Sequence, residues 1–443
     1  MKWTRFLLLA TLQVPLSVAI PGLSQEQEEW LESVTHSNVS TSWPLLSSNQ
    51  SINLLKNIRN FQNITEIANY PYYQAVELWY SDKNRTKILR YDDVGDGAAW
   101  TGLHLASMVH EYAVTQDPSV MDRIWGTLEA LDMMTACTGK LGYLPRFVGL
   151  ASDPAYAAYY PNYTGGTFRC IAPYEDYIWL GHTSRDMYDG VSFGLANSWV
   201  WLPSNATIRR KVKMLVERIT DSLRKDYMWI ISPKDQFTNP LPLFSATWRK
   251  LALTVNYEKY KDMEAAYILD FYAAYEFEMK ISSIHDSTYF PNELDVEEVY
   301  VLAVLEDDES RKNDLLKRFT EIAVNNAFHF QPGFAAFYLS AFPNTSTYMV
   351  PQGVLQGGLY DYPAAPDWDR YVDQSQNPKY MPHYDSDHSE YALMIRDRPP
   401  TTYFWQRNPT TLKGGDACCL QRKHLDLLLA YWMGRTSGFI MGE

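Results

Sequence analysis

The feature that most constrains this chain is an apolar stripe at helical spacing that recurs along most of its length. Leu105, Met108, Val109, Tyr112 and Ala113 form one such stripe, a spacing that puts all five on one face of a helix. The stretches 119–136, 185–201, 207–228, 260–281, 295–305, 309–325, 386–396 and 420–436 repeat the pattern, and alternating strand-like runs are few. Connections rich in Pro, Gly, Tyr and Asn, such as Gly142–Gly166 and Pro351–Pro382, separate the helices and are long enough to build a site on one face of a scaffold. No low-complexity linker, charge block or fixed-period repeat divides residues 20–443, so a single helical catalytic domain is expected there. The expected fold class is all-α, an (α/α)6-toroid-like single domain with long connecting loops, in which helical hairpins close into a ring around a central cleft. A looser all-α bundle has the same periodicity and stands as the alternative.

The N-terminus sets the compartment. Lys2 and Arg5 precede an apolar run from Phe6 to Ile20 that Thr11, Gln13, Pro15 and Ser17 interrupt, too short and broken for a bilayer core of roughly 30 Å. Ser17 and Ala19 supply small residues for cleavage after Ala19, so residues 1–19 read as a signal peptide; the alternative, a signal anchor, lacks a stop-transfer pattern. Seven sequons, at Asn38, Asn49, Asn63, Asn84, Asn162, Asn205 and Asn344, each propose a glycosylated surface position. The expected localisation is therefore secreted, or the lumen of the secretory pathway. The apolar stretch Leu425–Gly442 carries Asp426 and Arg435 and reads as a packed helix, not a membrane span.

Four cysteines, Cys137, Cys170, Cys418 and Cys419, suit two disulfides in an oxidising compartment. Because neighbouring cysteines strain the peptide between them, Cys418 and Cys419 are expected to reach back to Cys137 and Cys170. A net charge of −13 argues against nucleic acid as a partner. The 32 Tyr, 14 Trp and 18 Phe suffice for a core and for a ring-lined groove that takes small apolar or aromatic substrates, or alternatively a glycan.

Several stretches carry chemistry. Tyr91-Asp92-Asp93-Val94-Gly95-Asp96 runs into a helix, where an Asp serves as N-cap or as an anion held at a positive helix end. Asp96 is read both ways, with Trp100 one turn on as a stacking surface. In Tyr174–Gly190, Thr183 and Asp186 have capping-box spacing, while Arg185 and Asp189 stand four apart on one helix face and Gly190 and Gly194 permit close approach. His182, Arg185 and Asp189 are candidate catalytic groups, with Tyr188 beside them. Further on, His383, Asp385, Asp387 and His388 resemble a ligand cluster, yet Asp387 and Glu390 also fit a capping box, and no metal is assigned. Tyr403-Phe404-Trp405-Gln406-Arg407 offers Trp405 for substrate binding and Arg407 to orient a carbonyl or carboxylate. His285–Tyr289 is a weaker polar loop. No HExxH, P-loop or dinucleotide fingerprint occurs, and no cofactor is expected.

The helix from Asp96 to Tyr112, the helix start Thr183-Ser184-Arg185-Asp186 and the closing Tyr431-Trp432-Met433-Gly434-Arg435 resemble parts of secreted helical-toroid proteins, many of them carbohydrate-active. Tyr91-Asp92-Asp93 resembles the paired aspartates of fungal α-1,6-mannanase-like toroids, although the following residues depart from that pattern. In general character the chain also resembles the hetero-Diels–Alderases of fungal tropolone–sesquiterpene biosynthesis. That resemblance implies a cycloaddition between a tropolone-derived o-quinone methide and a sesquiterpene alcohol, aided by a donor such as Arg185, His182 or Arg407. The glycosidase alternative implies a carboxylate pair, Asp92 or Asp96 with Asp186 or Asp189. A third reading is a non-catalytic glycan or terpenoid carrier.

Overall fold

The computed structural model describes residues 46–441 except 205, 235, 282–288, 328–330, 344–348, 365–369, 381–386, 390–391, 401–407 and 416–417. The chain is mostly helical, as an all-α protein should be. In chain order the long helices are α1 (Ser48–Ala68), α2 (Gly97–Thr115), α3 (Pro118–Cys137), α4 (Arg185–Trp201), α5 (Ala206–Lys225), α6 (Pro242–Val255), α7 (Glu264–Glu276), α8 (Tyr289–Leu305), α9 (Glu309–Ala327), α10 (Pro332–Ala341), α11 (Met349–Tyr360) and α12 (Leu425–Thr436).

Even- and odd-numbered helices differ in chemistry and so in place. In α2 every residue from Gly97 to Glu111 is buried, and α4, α10 and α12 are buried over most of their lengths. A helix that is apolar all round needs partners on every side. These helices find them in one another: α2 packs on α4, α4 on α6, α6 on α8, α8 on α10, α10 on α12 and α12 on α2, with α8 touching α4 as well. The odd helices have one apolar face. In α5 it is Ile208, Val212, Leu215, Val216, Ile219 and Leu223, all buried, and α5 lies against α4 and α6. Likewise α3 backs α2, α7 backs α6, α9 backs α8 and α10, and α11 and α1 back α12.

Glycine brings α2 and α4 into backbone contact. A Cβ on Gly102 would overlap the carbonyl of Gly190, and one on Gly194 would overlap that of Gly102. The close approach expected for Gly190 and Gly194 is thus made, with Gly102 as its counterpart.

Short strands lead into the even helices. β1 (Glu77–Tyr80) pairs with β2 (Ile88–Asp92), which feeds α2, and with Leu420–Gln421, which feeds α12. β5 (Tyr177–Leu180) lies between β3 (Val148–Leu150) and β4 (Thr167–Arg169) and feeds α4. β6 (Ile230–Ile231) pairs with β7 (Phe237–Thr238), which feeds α6.

Two expectations need correction here. Cys137 pairs with Cys170, 33 residues on, so Cys418 and Cys419 do not reach back to them. The Cys137 and Cys170 Cα atoms lie 4.8 Å apart, because Ile171 N–H bonds the Cys137 carbonyl and ties the two segments together. The helix expected over 386–396 does not form across its described residues. Ser389 N–H bonds Thr410 and Leu412 N–H bonds Asp387, so a strand-like ladder takes the backbone groups a helix would use, leaving only the single turn Ile395–Asp397. No helix among the described residues is long and apolar enough to cross a membrane. The expected signal peptide, residues 1–19, lies outside the described residues, as do Asn38, Asn205 and Asn344. Asn49, Asn63, Asn84 and Asn162 are all exposed.

Candidate active site

The N-terminal ends of α2, α4, α8 and α12 come together, and acidic groups on each act on one another. At the start of α2, Asp93 adopts a left-handed backbone (φ 51) and pairs with the buried Lys423 ammonium. Lys423 also reaches Glu77 at 3.7 Å and lies 4.9 Å from the centre of the Trp100 ring. Burial and the nearby carboxylates Glu77 and Asp96 push Asp93 up to about 7 despite Lys423. Trp100 is 1% exposed, so its ring belongs to the packed wall beneath the site.

Asp96 occupies the N-cap position of α2 without making a capping hydrogen bond, which corrects the capping expectation. Arg146 takes its side chain instead, with Nη1 donating to Asp96 Oδ1 at 2.8 Å and to the Gly95 carbonyl at 2.5 Å. The same guanidinium donates through Nε to the His182 carbonyl and through Nη2 to Ser184 Oγ, each at 2.7 Å. One residue thereby latches the start of α2 to the start of α4. Burial and the charge of Asp186 raise Asp96, while Arg146 opposes them.

At the start of α4 the expected Thr183–Asp186 capping box is absent. Ser184 is the N-cap residue and makes no side-chain cap; its hydroxyl donates to Asp186 Oδ1 instead. Thr183 offers its carbonyl to Gln236 and Thr238. His182 is exposed with φ 57, and Arg185 donates to the Asn239 carbonyl at 3.0 Å. Tyr188 belongs to the core. It is 1% exposed, accepts Leu144 N–H at 3.0 Å and packs edge-on against Phe244 and Trp248.

The residues that the spacing did not single out come from α8. Glu293, Glu297 and Glu298 are at most 5% exposed, interleaved with the buried Val296, Val299 and Tyr300. Glu298 meets Asp189 of α4; burial dominates and lifts both well above the usual carboxylate range, Asp189 raises Glu298 further, and the hydrogen bond from Glu298 pulls Asp189 back down. Asp189 Oδ1 and Glu298 Oε1 have no hydrogen-bond partner among the described residues. Glu293 meets Glu297 one turn along; burial lifts Glu297 to about 8, and the charge of Asp186 adds to the effect. Glu293 is raised by burial, by Glu297 and by Asp426 and Asp96. Two carboxyl groups in contact and away from water cannot both ionise, so each pair holds a proton near neutral pH.

A cleft of about 360 Å³ opens over the Asp189–Glu298 pair. Ser184, Arg185, Asp186, Asp189, Asp295 and Glu298 supply its polar lining, and Leu241, Phe244 and Leu294 its apolar wall. Arg185, Asp186 and Asp189 are thus brought together. Asp96 stands beside them through Asp186, while Trp100 and Tyr188 pack below. Trp405 and Arg407 lie outside the described residues, as do His383, Asp385 and His285. Among the described residues no group of three or more His, Cys, Asp or Glu side chains is arranged to hold a metal ion.

Comparison with known proteins finds no family model, no curated protein and no solved structure that matches the chain.

Proposed function

We propose that this protein is a secreted glycoside hydrolase of the (α/α)6-toroid type, with its active site in the cleft at the α4–α8 contact. The observation that carries this reading is the buried, proton-sharing Asp189–Glu298 pair, which lines the cleft alongside Asp186. The ring order of the even helices, each packed on the next and α12 on α2, supports the toroid. The exposed sequons support the secretory route.

The chemistry follows from the two environments. A carboxyl group whose charged form is disfavoured by burial keeps its proton at neutral pH and can donate it. Glu298, sharing a proton with Asp189, is the general acid, and protonates the glycosidic oxygen as its bond to the anomeric carbon breaks. Asp186, oriented by the Ser184 hydroxyl, is the carboxylate on the other side. It either takes a proton from the attacking water or forms the glycosyl ester that water then opens. Arg185 binds substrate oxygens, and Leu241, Phe244 and Leu294 exclude water from one side.

A second reading is a hetero-Diels–Alderase. The Arg185 guanidinium beside the wall of Leu241, Phe244 and Leu294 favours it: an apolar wall desolvates two partners and one donor polarises a quinone-methide carbonyl. One experiment separates the two. The purified glycoprotein is incubated with a polysaccharide and glycoside panel, and separately with a tropolone-derived quinone-methide precursor plus a macrocyclic sesquiterpene alcohol. Reducing-sugar release is expected; a single-stereoisomer adduct without any sugar release would replace the first reading by the second.

A further inference from the structure

At the end of β2, ahead of α2, lies a second pocket of about 460 Å³. It is lined by Arg90, Asp92, Tyr159, Asn162, Tyr163 and Thr164, with Ala158. The rings of Tyr159 and Tyr163 stand nearly parallel, 27° between planes and 6.1 Å between centres, and both line the pocket. Their setting is rigid. Tyr163 donates to the Gly181 carbonyl at 3.1 Å. Tyr159 places its hydroxyl 3.7 Å from the Cβ position of Gly95, just ahead of α2, and is pushed up to about 12 by burial, by Tyr163 and by Asp93, Asp92 and Asp96. The polar edge is fixed too: Arg90 bonds Asp92 at 3.3 Å and lies 5.0 Å from the centre of the Trp79 ring.

We infer that this pocket is a binding site for a pyranose ring, seated with its C–H face on Tyr159 and Tyr163 and its hydroxyls toward Arg90 and Asp92. A sugar presents one apolar face and a rim of hydroxyls, and a ring platform bounded by an arginine and a carboxylate matches both. An independent observation points to the same ligand. Asn162, the acceptor of the Asn162-Tyr163-Thr164 sequon, is exposed and itself lines the pocket. The pyranose can come from two sources: the first sugar of a glycan on Asn162, or a distal unit of a saccharide held in the cleft. The site stands on the pocket's own residues and does not require the hydrolase reading.

The test uses the secreted full-length protein and Tyr159→Ala, with Tyr159→Phe as the variant that keeps the platform. Peptide mapping first establishes whether Asn162 carries a glycan. If it does, removing it by Asn162→Gln lowers the melting temperature, and Tyr159→Ala lowers it by a similar amount with no further loss in the double variant, the mark of one shared contact. If Asn162 is bare, calorimetry with mannose- and glucose-based oligosaccharides gives an affinity about tenfold weaker in Tyr159→Ala. Tyr159→Phe retains wild-type behaviour in either arm. Additive effects of Tyr159→Ala and Asn162→Gln, or an oligosaccharide affinity untouched by Tyr159→Ala, overturn the inference while leaving the hydrolase reading intact. Loss of all reducing-sugar release with the Tyr159 effects preserved does the reverse.

Discussion

Replacing Arg146 by Met keeps most of the side chain's packing volume and removes its hydrogen bonds. Four contacts go at once: to Asp96 Oδ1, the Gly95 carbonyl, the His182 carbonyl and Ser184 Oγ. Breaking a buried ion pair from one side costs about 3–5 kcal/mol, because the remaining charge is left without compensation. Asp96 keeps 29% of its side chain exposed and Arg146 13%, so water recovers part of that loss. The expected destabilisation is therefore about 3 kcal/mol, toward the lower end. For a chain of this size that corresponds to a fall in Tm of roughly 3–4 °C. Arg146→Lys restores the charge without the planar fork that reaches both helix starts, and should recover no more than about half of the loss. Urea unfolding of the three proteins at pH 7 measures this. A loss below about 1 kcal/mol for Arg146→Met, within the range of an exposed pair, would show that Arg146 does not latch α2 to α4.

Other expectations follow from the same contacts. Glu297, Asp93 and Glu278 are held at about 8, 7 and 7, above unfolded values near 4, so the native state binds the extra protons and loses that advantage as pH rises through these values. His104 and His110, depressed to about 3 and 4 by burial, oppose this only below about pH 6.5, where the unfolded imidazoles protonate. Stability should thus fall from pH 6.5 to 8, and chemical denaturation showing a rise over that window would contradict the buried pairs. Gly102→Ala forces a methyl group into the Gly190 carbonyl and should cost about 1–3 kcal/mol, whereas wild-type stability in this variant would mean that α2 and α4 do not touch there. Removing the Cys137–Cys170 bridge, which closes a segment of 33 residues, should cost roughly 3–4 kcal/mol and be visible as a lower Tm on mild reduction.

Much of the helical order is legible from spacing alone. The stretch 185–201 is helical to the residue, because Arg185 and Asp186 open it and an apolar stripe runs unbroken to Trp201. Four helices are not announced by their residues, for different reasons. α1 is rich in Asn and Gln, which obscure its apolar stripe of Leu54, Ile58 and Phe61. α11 contains Pro351, Gly353, Gly357 and Gly358, which in isolation mark a loop. The α10 segment, PGFAAFYLSA, has no polar face from which to read a period, since every side of it is buried; α6 is buried over most of its length as well.

The site was half readable. Arg185, Asp186 and Asp189 stand out at a helix start, but their decisive partner comes from α8, more than a hundred residues away in the chain. Acidic residues at 293, 297 and 298 on a segment with Val296, Val299 and Tyr300 were the available signal: carboxylates within an apolar stripe have no bland role when no basic residue follows at helical spacing. Neighbouring Glu297 and Glu298 project about 100° apart on a helix, which is why one meets Glu293 along α8 and the other meets Asp189 across to α4. Arg146 sits in a loop with no helical context, and only the fold reveals that it spans two helix starts.

Proton donation from a cleft carboxyl group to a leaving group is the step on which the hydrolase reading rests. It is tested most directly by the rate of hydrolysis of a reactive aryl glycoside and of its unactivated alkyl counterpart by wild type and Glu298→Gln. An aryl oxide leaves without help, whereas an alkoxide needs the proton. The prediction is a loss of about 10²–10⁴-fold on the alkyl glycoside and a much smaller loss on the aryl glycoside, with the alkaline limb of the wild-type pH profile absent in the variant. Equal losses on both substrates, or undiminished hydrolysis of the alkyl glycoside, would contradict the assignment of Glu298 as the acid.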